Sequence, residues 1–330
     1  MQTILPWHKS TWQHLVASRD VGRFPHAILI RGLPGVGKSV FAKNLAALFL
    51  CQKSIGKDIH CGKCHNCILL STDNHPDLIL IQSTEQDKSI KINQIREVIT
   101  ELNNTSHQGG MKIVIIKSAE LLNIAASNAL LKVLEEPTAN TLIILISSYY
   151  MLLPATIRSR CQIIAINTPR YSVANEWLQQ VTPNTDIKLI LGLVENSPLQ
   201  ALSFINENTL QKRQDFFNAI HALHLRTIDL ESVVIKCLNL GIDNFIVTFM
   251  YIIIDLIKLK FSVDNQIVNR DQLDKLYHYS SIISIIDLMD YRKKLYESRR
   301  HLMNKINLNQ QLLIENLLIN WTLKIDKHCV

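Results

Sequence analysis

Two patterns of hydrophobic residues divide the chain. Up to about residue 168, short apolar runs alternate with stretches of helical spacing; the runs are HAILIRG, DLILIQ, KIVIIK and TLIILISS. Apolar strands separated by helices are typical of a parallel sheet covered by helices on both faces. Beyond Arg170 these strand signals end, and apolar residues recur at helical spacing, as in Leu313, Leu317 and Trp321. The pattern predicts an α/β fold followed by an all-α remainder.

The same patterns suggest three domains. We expect an α/β domain at 1–168, a small helical domain at 169–208 and a larger helical domain at 209–330, with the second break around NENTLQKRQ. The longest apolar run, Phe245 to Ile254, is too short for a membrane span and predicts a buried helix.

Composition restricts the class of protein. A chain of 330 residues with 47% hydrophobic residues can bury a large core. Its net charge of +7 permits nucleic acid as a partner without requiring one. The stretch MQTILPWHKSTWQ lacks the long apolar core of a signal peptide, so we expect a cytoplasmic protein.

The strongest motif is GLPGVGKS, Gly32 to Ser39, which fits G-x-x-x-x-G-K-[ST] between a predicted strand and a predicted helix. Glycines let the backbone wrap around phosphates, and the amides at the helix start supply positive potential. Lys38 would reach the β- and γ-phosphates, and Ser39 would ligate Mg²⁺. The candidate nucleotide-binding residues are Gly32, Pro34, Gly35, Gly37, Lys38 and Ser39. The motif alone does not decide whether the loop still binds ATP.

A cysteine cluster follows this helix with the spacing C-x9-C-x2-C-x2-C; its members are Cys51, Cys61, Cys64 and Cys67. Two C-x2-C steps direct sulfurs to a common centre, and a fourth sulfur completes the tetrahedral site that zinc prefers. Four thiolates leave no open position for a substrate. We therefore predict a structural zinc in an insertion at 51–67. His60 or His65 could replace one cysteine, and reduced thiols without metal are the alternative.

Further motifs follow in order: HPD at His75 to Asp77, SNALLKVLEEP at Ser127 to Pro137, and SRC at Ser159 to Cys161. With the phosphate loop and the cysteine insertion, they resemble the AAA+ clamp loader subunits in kind and in order. The ending LMNKINLNQQLLIENLLINW is similar to the terminal helical domain of a bacterial DNA polymerase III subunit. The resemblance covers nearly the whole chain.

The resemblance implies a P-loop AAA+ module, a small helical lid domain and a C-terminal helical collar domain. Such loaders are five-subunit rings that use ATP to place a sliding clamp on primed DNA. The implied partners are motor subunits of the gamma/tau type, a delta-type subunit, the clamp and, through the assembly, primed DNA. The chain would then be a subunit of a DNA-directed DNA polymerase holoenzyme.

The resemblance also implies that this subunit lacks parts needed for hydrolysis. In the motors, the strand matching KIVII is followed by Asp-Glu, which holds Mg²⁺ and polarises the attacking water. Here those positions are Lys117 and Ser118, and Glu120 is a poor geometric substitute. Ser147 stands at the first sensor position, where its hydroxyl could still contact a γ-phosphate, so it is a further candidate nucleotide-binding residue; Leu199 replaces the arginine of the second sensor. We expect no appreciable ATP turnover by this chain.

The resemblance also implies a role for the arginine of the SRC motif. In the family it projects into the neighbouring subunit's nucleotide site and stabilises charge on the transferred phosphoryl group. Arg160 is that residue by position, and Arg158 is the alternative. The sequence thus predicts a non-motor, or stator, subunit that donates an arginine finger. Two alternatives are an ATP-hydrolysing motor subunit of the same loader and a zinc-containing nucleic-acid-binding module.

Overall fold

The structure is a computed structural model, and it describes residues 4–54, 56–83, 89–106, 108, 110–182, 186–263, 266–303 and 309–327. Its contacts divide the chain into two compact units, Met1–Val173 and Ala174–Val330. The division into three domains at 168 and 208 stays a prediction, because the contacts resolve two units.

The first unit is built on a parallel sheet. In the described part of the chain, its strands are β1 (Ala27–Arg31), β2 (Leu78–Ile81), β3 (Lys112–Ile116), β4 (Thr141–Ser147) and β5 (Gln162–Ala165). The strand order is β2-β3-β4-β1-β5, and every pairing is parallel. The register sets Arg31 at the end of β1 beside Ser147 at the end of β4. The predicted α/β fold is confirmed for this unit.

Helices cover both faces of this sheet. They are α1 (Lys9–Asp20), α2 (Lys38–Leu50), α3 (His65–Ser71), α4 (Ile92–Asn103), α5 (Ile124–Glu135) and α6 (Ala155–Arg158). Alternate strand residues face opposite sides, so Ile28 shares a core with Phe41 of α2, whereas Leu29 shares another with Leu130 of α5. Asn123 caps α5, since its side chain accepts the Ala126 N–H at 2.7 Å.

From residue 171 onward, the described elements are helical, which confirms the predicted change from an α/β pattern to an all-α pattern. They include α7 (Tyr171–Val181), α8 (Ile187–Leu193), α9 (Pro198–Asn206), α10 (Thr209–His224), α11 (Leu230–Leu240), α12 (Ile242–Lys260), α13 (Leu273–Ile282), α14 (Ile285–Met303) and α15 (Gln310–Asp326). One core includes Ala174, Leu178 and Ile190; a larger one includes Phe249 and Trp321.

Among the described helices, none is by itself long and apolar enough to cross a membrane. The helices α11 and α12, bent by 106° relative to each other, meet the length and composition criteria only as a pair.

Candidate functional site

The phosphate loop joins β1 to α2 and is packed from two sides. Pro34 and Gly35 form its turn, with φ of 75° at Gly35. Gly37 precedes α2 with φ of 88°, and a Cβ there would lie 2.7 Å from Leu5 Cδ1. A Cβ at Gly32 would lie 2.2 Å from the Ile166 carbonyl oxygen. Packing therefore requires glycine at both positions, and at Gly37 the positive φ favours it as well.

Two residues near the start of the chain bind the loop backbone. Trp7 Nε1 donates to the Val36 carbonyl at 2.9 Å, and His8 Nε2 donates to the same oxygen at 2.8 Å. His8 is fully buried, and burial lowers the pKa of its imidazole. Sequence reasoning did not single out His8, because a lone histidine before a helix carries no motif.

Lys38 is held by the loop itself. Its ammonium donates to the carbonyls of Gly32 at 2.8 Å and Leu33 at 2.7 Å, and to Ser148 Oγ at 3.0 Å. These acceptors use all three N–H groups of the ammonium. Burial lowers the pKa of Lys38 to about 8, and the negative charge of Glu120 opposes that shift. Nucleotide phosphates would have to replace some of these acceptors.

The structure distinguishes between two neighbouring serines at the end of β4. Ser147, the predicted sensor, is fully buried, and its hydroxyl accepts the Tyr149 N–H at 3.1 Å. Ser148 instead contacts Lys38, and its own N–H donates to Glu120 Oε1 at 3.3 Å. The sequence did not indicate Ser148, because an error of one residue in the predicted end of β4 changes which serine faces the phosphate loop.

The positions of the motor acids lie at the carboxyl end of β3. Lys117 Nζ donates to Gln82 Oε1 at 3.1 Å, and Lys117 N donates to the Ile81 carbonyl at 2.8 Å. Ser118 is exposed and has φ of 50°, which turns the chain into a short 3₁₀ segment at Ala119–Leu121. That turn carries Glu120 toward the phosphate loop, where its Oε2 is buried without a described hydrogen-bond partner.

The two arginines around the SRC motif differ in environment. Arg160 lies at the surface just after α6, where its Nη2 is 2.5 Å from Glu135 Oε1 and its Nη1 donates to the Thr156 carbonyl at 3.0 Å. Arg158 Nη1 lies 3.1 Å from Met151 Sδ, and its Nε is buried without a described partner. Arg160 is the more exposed of the two guanidinium groups.

The four predicted zinc ligands meet at one point; the sulfurs of Cys51, Cys61, Cys64 and Cys67 all lie within 4.8 Å of one another. Two of the sulfur pairs are 3.9 Å apart. A tetrahedral zinc with bonds of about 2.3 Å sets its sulfurs about 3.8 Å apart, so the arrangement fits the ion. No histidine among the described residues joins the group.

Backbone groups stabilise charge on these sulfurs unequally. The N–H of Cys61 donates to Cys51 Sγ, and that of Cys64 donates to Cys61 Sγ, each at 3.3 Å. Backbone hydrogen bonds from Lys63 and Cys64 lower the pKa of the Cys61 thiol, whereas burial raises that of Cys67. A bound divalent cation would favour the thiolate form at all four positions.

Comparison with known proteins identifies the family. Residues 7–170 match a family model described as DNA polymerase III, delta subunit, and residues 207–322 match one described as DNA polymerase III, delta subunit, C terminal. The DNA polymerase III subunit delta' of Escherichia coli is 31% identical over 95% of this chain and 94% of its own length. This chain belongs to the DNA polymerase III delta' family.

One further delta' subunit and one solved structure are also similar to this chain. The Pseudomonas aeruginosa protein is 29% identical over 97% of this chain and 98% of its own length. A gamma subunit-related DNA polymerase III protein from Thermotoga maritima is 19% identical, with a TM-score of 0.43 over 96% of this chain and 98% of that protein. Membership of the delta' family confirms the expected AAA+ clamp loader class, together with the phosphate loop, the parallel sheet and the helical remainder.

Proposed function

We propose that this chain is the stator subunit of a bacterial DNA polymerase III clamp loader, which helps to place the sliding clamp on primed DNA. The observation that carries the proposal is the replacement of the strand acids by Lys117 and Ser118 in a chain that presents Arg160 at its surface. Without the two acids, this subunit's own nucleotide site cannot hydrolyse ATP. The exposed Arg160 provides a guanidinium group that the nucleotide site of a neighbouring subunit can use.

Loss of hydrolysis follows from charge and geometry. An ammonium at Lys117 repels Mg²⁺, and the Ser118 hydroxyl cannot polarise an attacking water as a carboxylate does. Glu120 does not compensate, because one of its oxygens accepts the Ser148 N–H and its charge acts on Lys38. The loop can still hold ATP, with Gly32, Lys38 and Ser39 around the phosphates, but without turnover.

Arg160 suits a role in trans. Its guanidinium is planar, permanently charged and able to form two parallel hydrogen bonds to phosphate oxygens. In the described chain it is held by Glu135 and the Thr156 carbonyl, so its position is restricted before a partner arrives. Exposed ion pairs contribute no more than about 1 kcal/mol, so exchange of Glu135 for a neighbour's phosphate costs little.

The remaining parts of the proposal concern assembly. Zinc at the four cysteines would fix the insertion at 51–67, which also receives the Trp12 indole N–H at the Asp58 carbonyl. Residues 169–208 would act as the lid domain and 209–330 as the collar domain. The partners would be gamma/tau-type motor subunits and a delta-type subunit, with the clamp and primed DNA bound by the assembly in the cytoplasm.

The test is DNA-stimulated ATP hydrolysis by a reconstituted loader that contains the native chain, Arg160→Ala or Arg158→Ala. We expect the isolated chain to be inactive, and Arg160→Ala to lower the assembled rate about 10- to 100-fold, less than the ~10³-fold or more of a GTPase finger. Arg158→Ala tests the alternative finger and should keep the rate; a loss of rate with this variant alone would transfer the role to Arg158. Assembly of each variant is checked by gel filtration. Hydrolysis by the isolated chain would instead make this subunit a motor, and an unchanged rate with Arg160→Ala would remove its assigned role.

A further inference from the structure

Helix α14 has two faces of different chemistry. Leu288, Tyr291 and Leu295 are fully buried and belong to the larger core of the second unit. An α-helix turns by about 100° per residue, so residues three or four positions apart share a face. A sector about 100° wide on the other side of the helix holds four exposed residues, which we call the cationic stripe: Arg292, Lys293, Tyr296 and Arg300.

The cations of this stripe are not neutralised by the described part of the chain. The side chains of Arg292, Lys293 and Arg300 form no ion pair and no hydrogen bond with the described residues. By contrast, Lys294, which lies nearer the core, donates to Asn320 Oδ1 at 2.6 Å. Side chains that the fold does not use are free to bind a partner.

The acidic residues of α14 do not cancel this charge. Lys324 Nζ of α15 lies 2.9 Å from a carboxylate oxygen of Asp287 and 3.9 Å from one of Asp290. Glu297, the one acid against five basic residues in RKKLYESRR, forms no ion pair within the described chain. The stripe therefore keeps a positive potential, which an anionic partner would complement.

Tyr296 lies between the cations of the stripe. The residue is 63% exposed. Lys293 and Arg300 are about 10 Å apart along the helix axis, with the Tyr296 ring between them. Proteins that bind single-stranded nucleic acid combine cations, which contact the phosphates, with aromatic rings on which the bases stack. The stripe has both kinds of group on one side of one helix.

We propose that the cationic stripe of α14 binds single-stranded DNA, with Tyr296 stacked on a base and the three cations on the adjacent phosphates. DNA is the polyanion that fits a chain of the DNA polymerase III delta' family, whose matching C-terminal model covers this helix. An unpaired strand fits better than a duplex, because duplex bases stack on one another and leave no free face for Tyr296.

This contact goes beyond the stator role, because it assigns DNA binding to the helical unit of this chain. It requires neither Arg160 nor ATP. Since it is measured as DNA binding by the full-length chain and not as ATP hydrolysis by a loader, its failure is distinct from failure of the arginine finger.

The experiment is a fluorescence-anisotropy titration of a labelled oligothymidine, about 16 nucleotides long, with the full-length chain. It is repeated at salt concentrations between about 50 and about 200 mM. Unlabelled oligothymidine, a DNA duplex and polyglutamate are then added as competitors. We expect the single strand to compete more strongly than the duplex or polyglutamate.

Removal of two cations tests the phosphate contacts. Lys293→Gln combined with Arg300→Gln should weaken binding by about tenfold or more. It should also reduce the slope of log K against log salt by about 1.4, because each phosphate contact to a single strand contributes about 0.7. The matched control is Lys132→Gln combined with Lys236→Gln, which removes two exposed lysines from α5 and α11 and should keep both affinity and slope.

Replacement of the ring tests stacking. Tyr296→Ala should weaken binding by about tenfold and leave the salt slope unchanged, whereas Tyr296→Phe keeps the ring and should keep the affinity. Circular dichroism verifies that the variants fold, as expected for exposed positions. The proposal is overturned if the chain does not bind oligothymidine at the lowest salt, if the control weakens binding as much as the stripe variant, or if Tyr296→Ala has no effect. Equal competition by the duplex would overturn the assignment to a single strand, and equal competition by polyglutamate would assign the stripe to an acidic protein segment instead.

Discussion

Arg160 and Glu135 form an ion pair in which Nη2 lies 2.5 Å from Oε1, although one residue belongs to the SRC motif and the other to the LEEP end of α5. Their side chains are 36% and 50% exposed. The pair thus links two motifs at the surface, where water and salt weaken the attraction between the charges.

The first prediction concerns Glu135. Glu135→Ala should lower the free energy of unfolding by less than about 1 kcal/mol, because both partners are exposed. Hydrolysis by an assembled loader should be retained, since the neighbour's phosphates then become the partner of Arg160. Urea unfolding and the assembled ATPase rate test both points, with Glu136→Ala as the matched control. A large loss of hydrolysis would show that Glu135 actively orients the finger.

The second prediction concerns the metal. Purified chain should contain about one zinc ion, and a cobalt-substituted sample should show the strong charge-transfer absorption of thiolate ligands. Cys61→Ser should weaken metal binding, while His65→Ala, the adjacent control, should keep it because no histidine among the described residues joins the sulfurs. A metal-free native chain, or a site lost with His65→Ala, would contradict the assignment.

The third prediction compares two arginine–aspartate pairs of the second unit. Arg213 is 1% exposed and pairs with Asp271 at 2.7 Å, whereas Arg226 is 82% exposed and lies 3.5 Å from Asp326. Arg213→Ala should lower the free energy of unfolding by about 3 kcal/mol, because it leaves a partly buried carboxylate without its partner. Arg226→Ala should change it by less than about 1 kcal/mol. Denaturant titrations measure both, and equal effects would contradict the prediction.

The fourth prediction concerns pH. His224 Nε2 lies 3.4 Å from His278 Nε2, and His221 Nδ1 lies 3.3 Å from the Tyr279 hydroxyl. Burial, followed by the charge of His278, lowers the pKa of both His221 and His224 below 6.5. The unfolded chain therefore binds more protons than the folded chain just below that pH, so stability is present above about pH 6.5 and is lost as the pH falls.

The corresponding measurement is the free energy of unfolding between pH 5 and pH 8 for the native chain and His224→Gln. The variant should lose part of the acid destabilisation, because it cannot be protonated. His14→Gln, an exposed histidine on α1, should show the native profile. Identical profiles for native chain and His224→Gln would exclude the cluster as the source.

The sequence predicted the structure correctly where a single local pattern, such as a continuous apolar run, was sufficient to determine it. The strand at Lys112–Ile116 is buried at every position, so its apolar run was a sufficient signal. The spacing of the cysteines likewise predicted that their four sulfurs would meet. Both inferences depend on local sequence patterns. The order of the motifs along the chain then indicated the family.

Other contacts depend on details that a pattern does not contain. Ser148 rather than Ser147 contacts Lys38, because the end of β4 determines which side chain faces the loop. Glu120 approaches the loop because Ser118 adopts a left-handed backbone conformation that redirects the chain. Burial of the Asn44 amide without a described partner is likewise visible only once α2, α3 and β2 are packed together.

Helix α2 connects two sites that the sequence presents as separate. Lys38 begins this helix, and Cys51 caps its other end. Its thirteen residues form a rod about 20 Å long. One buried helix thus supports both places: a change at the cysteine cluster that displaced the end of α2 would act on the same helix whose first residue, Lys38, contacts the phosphate loop.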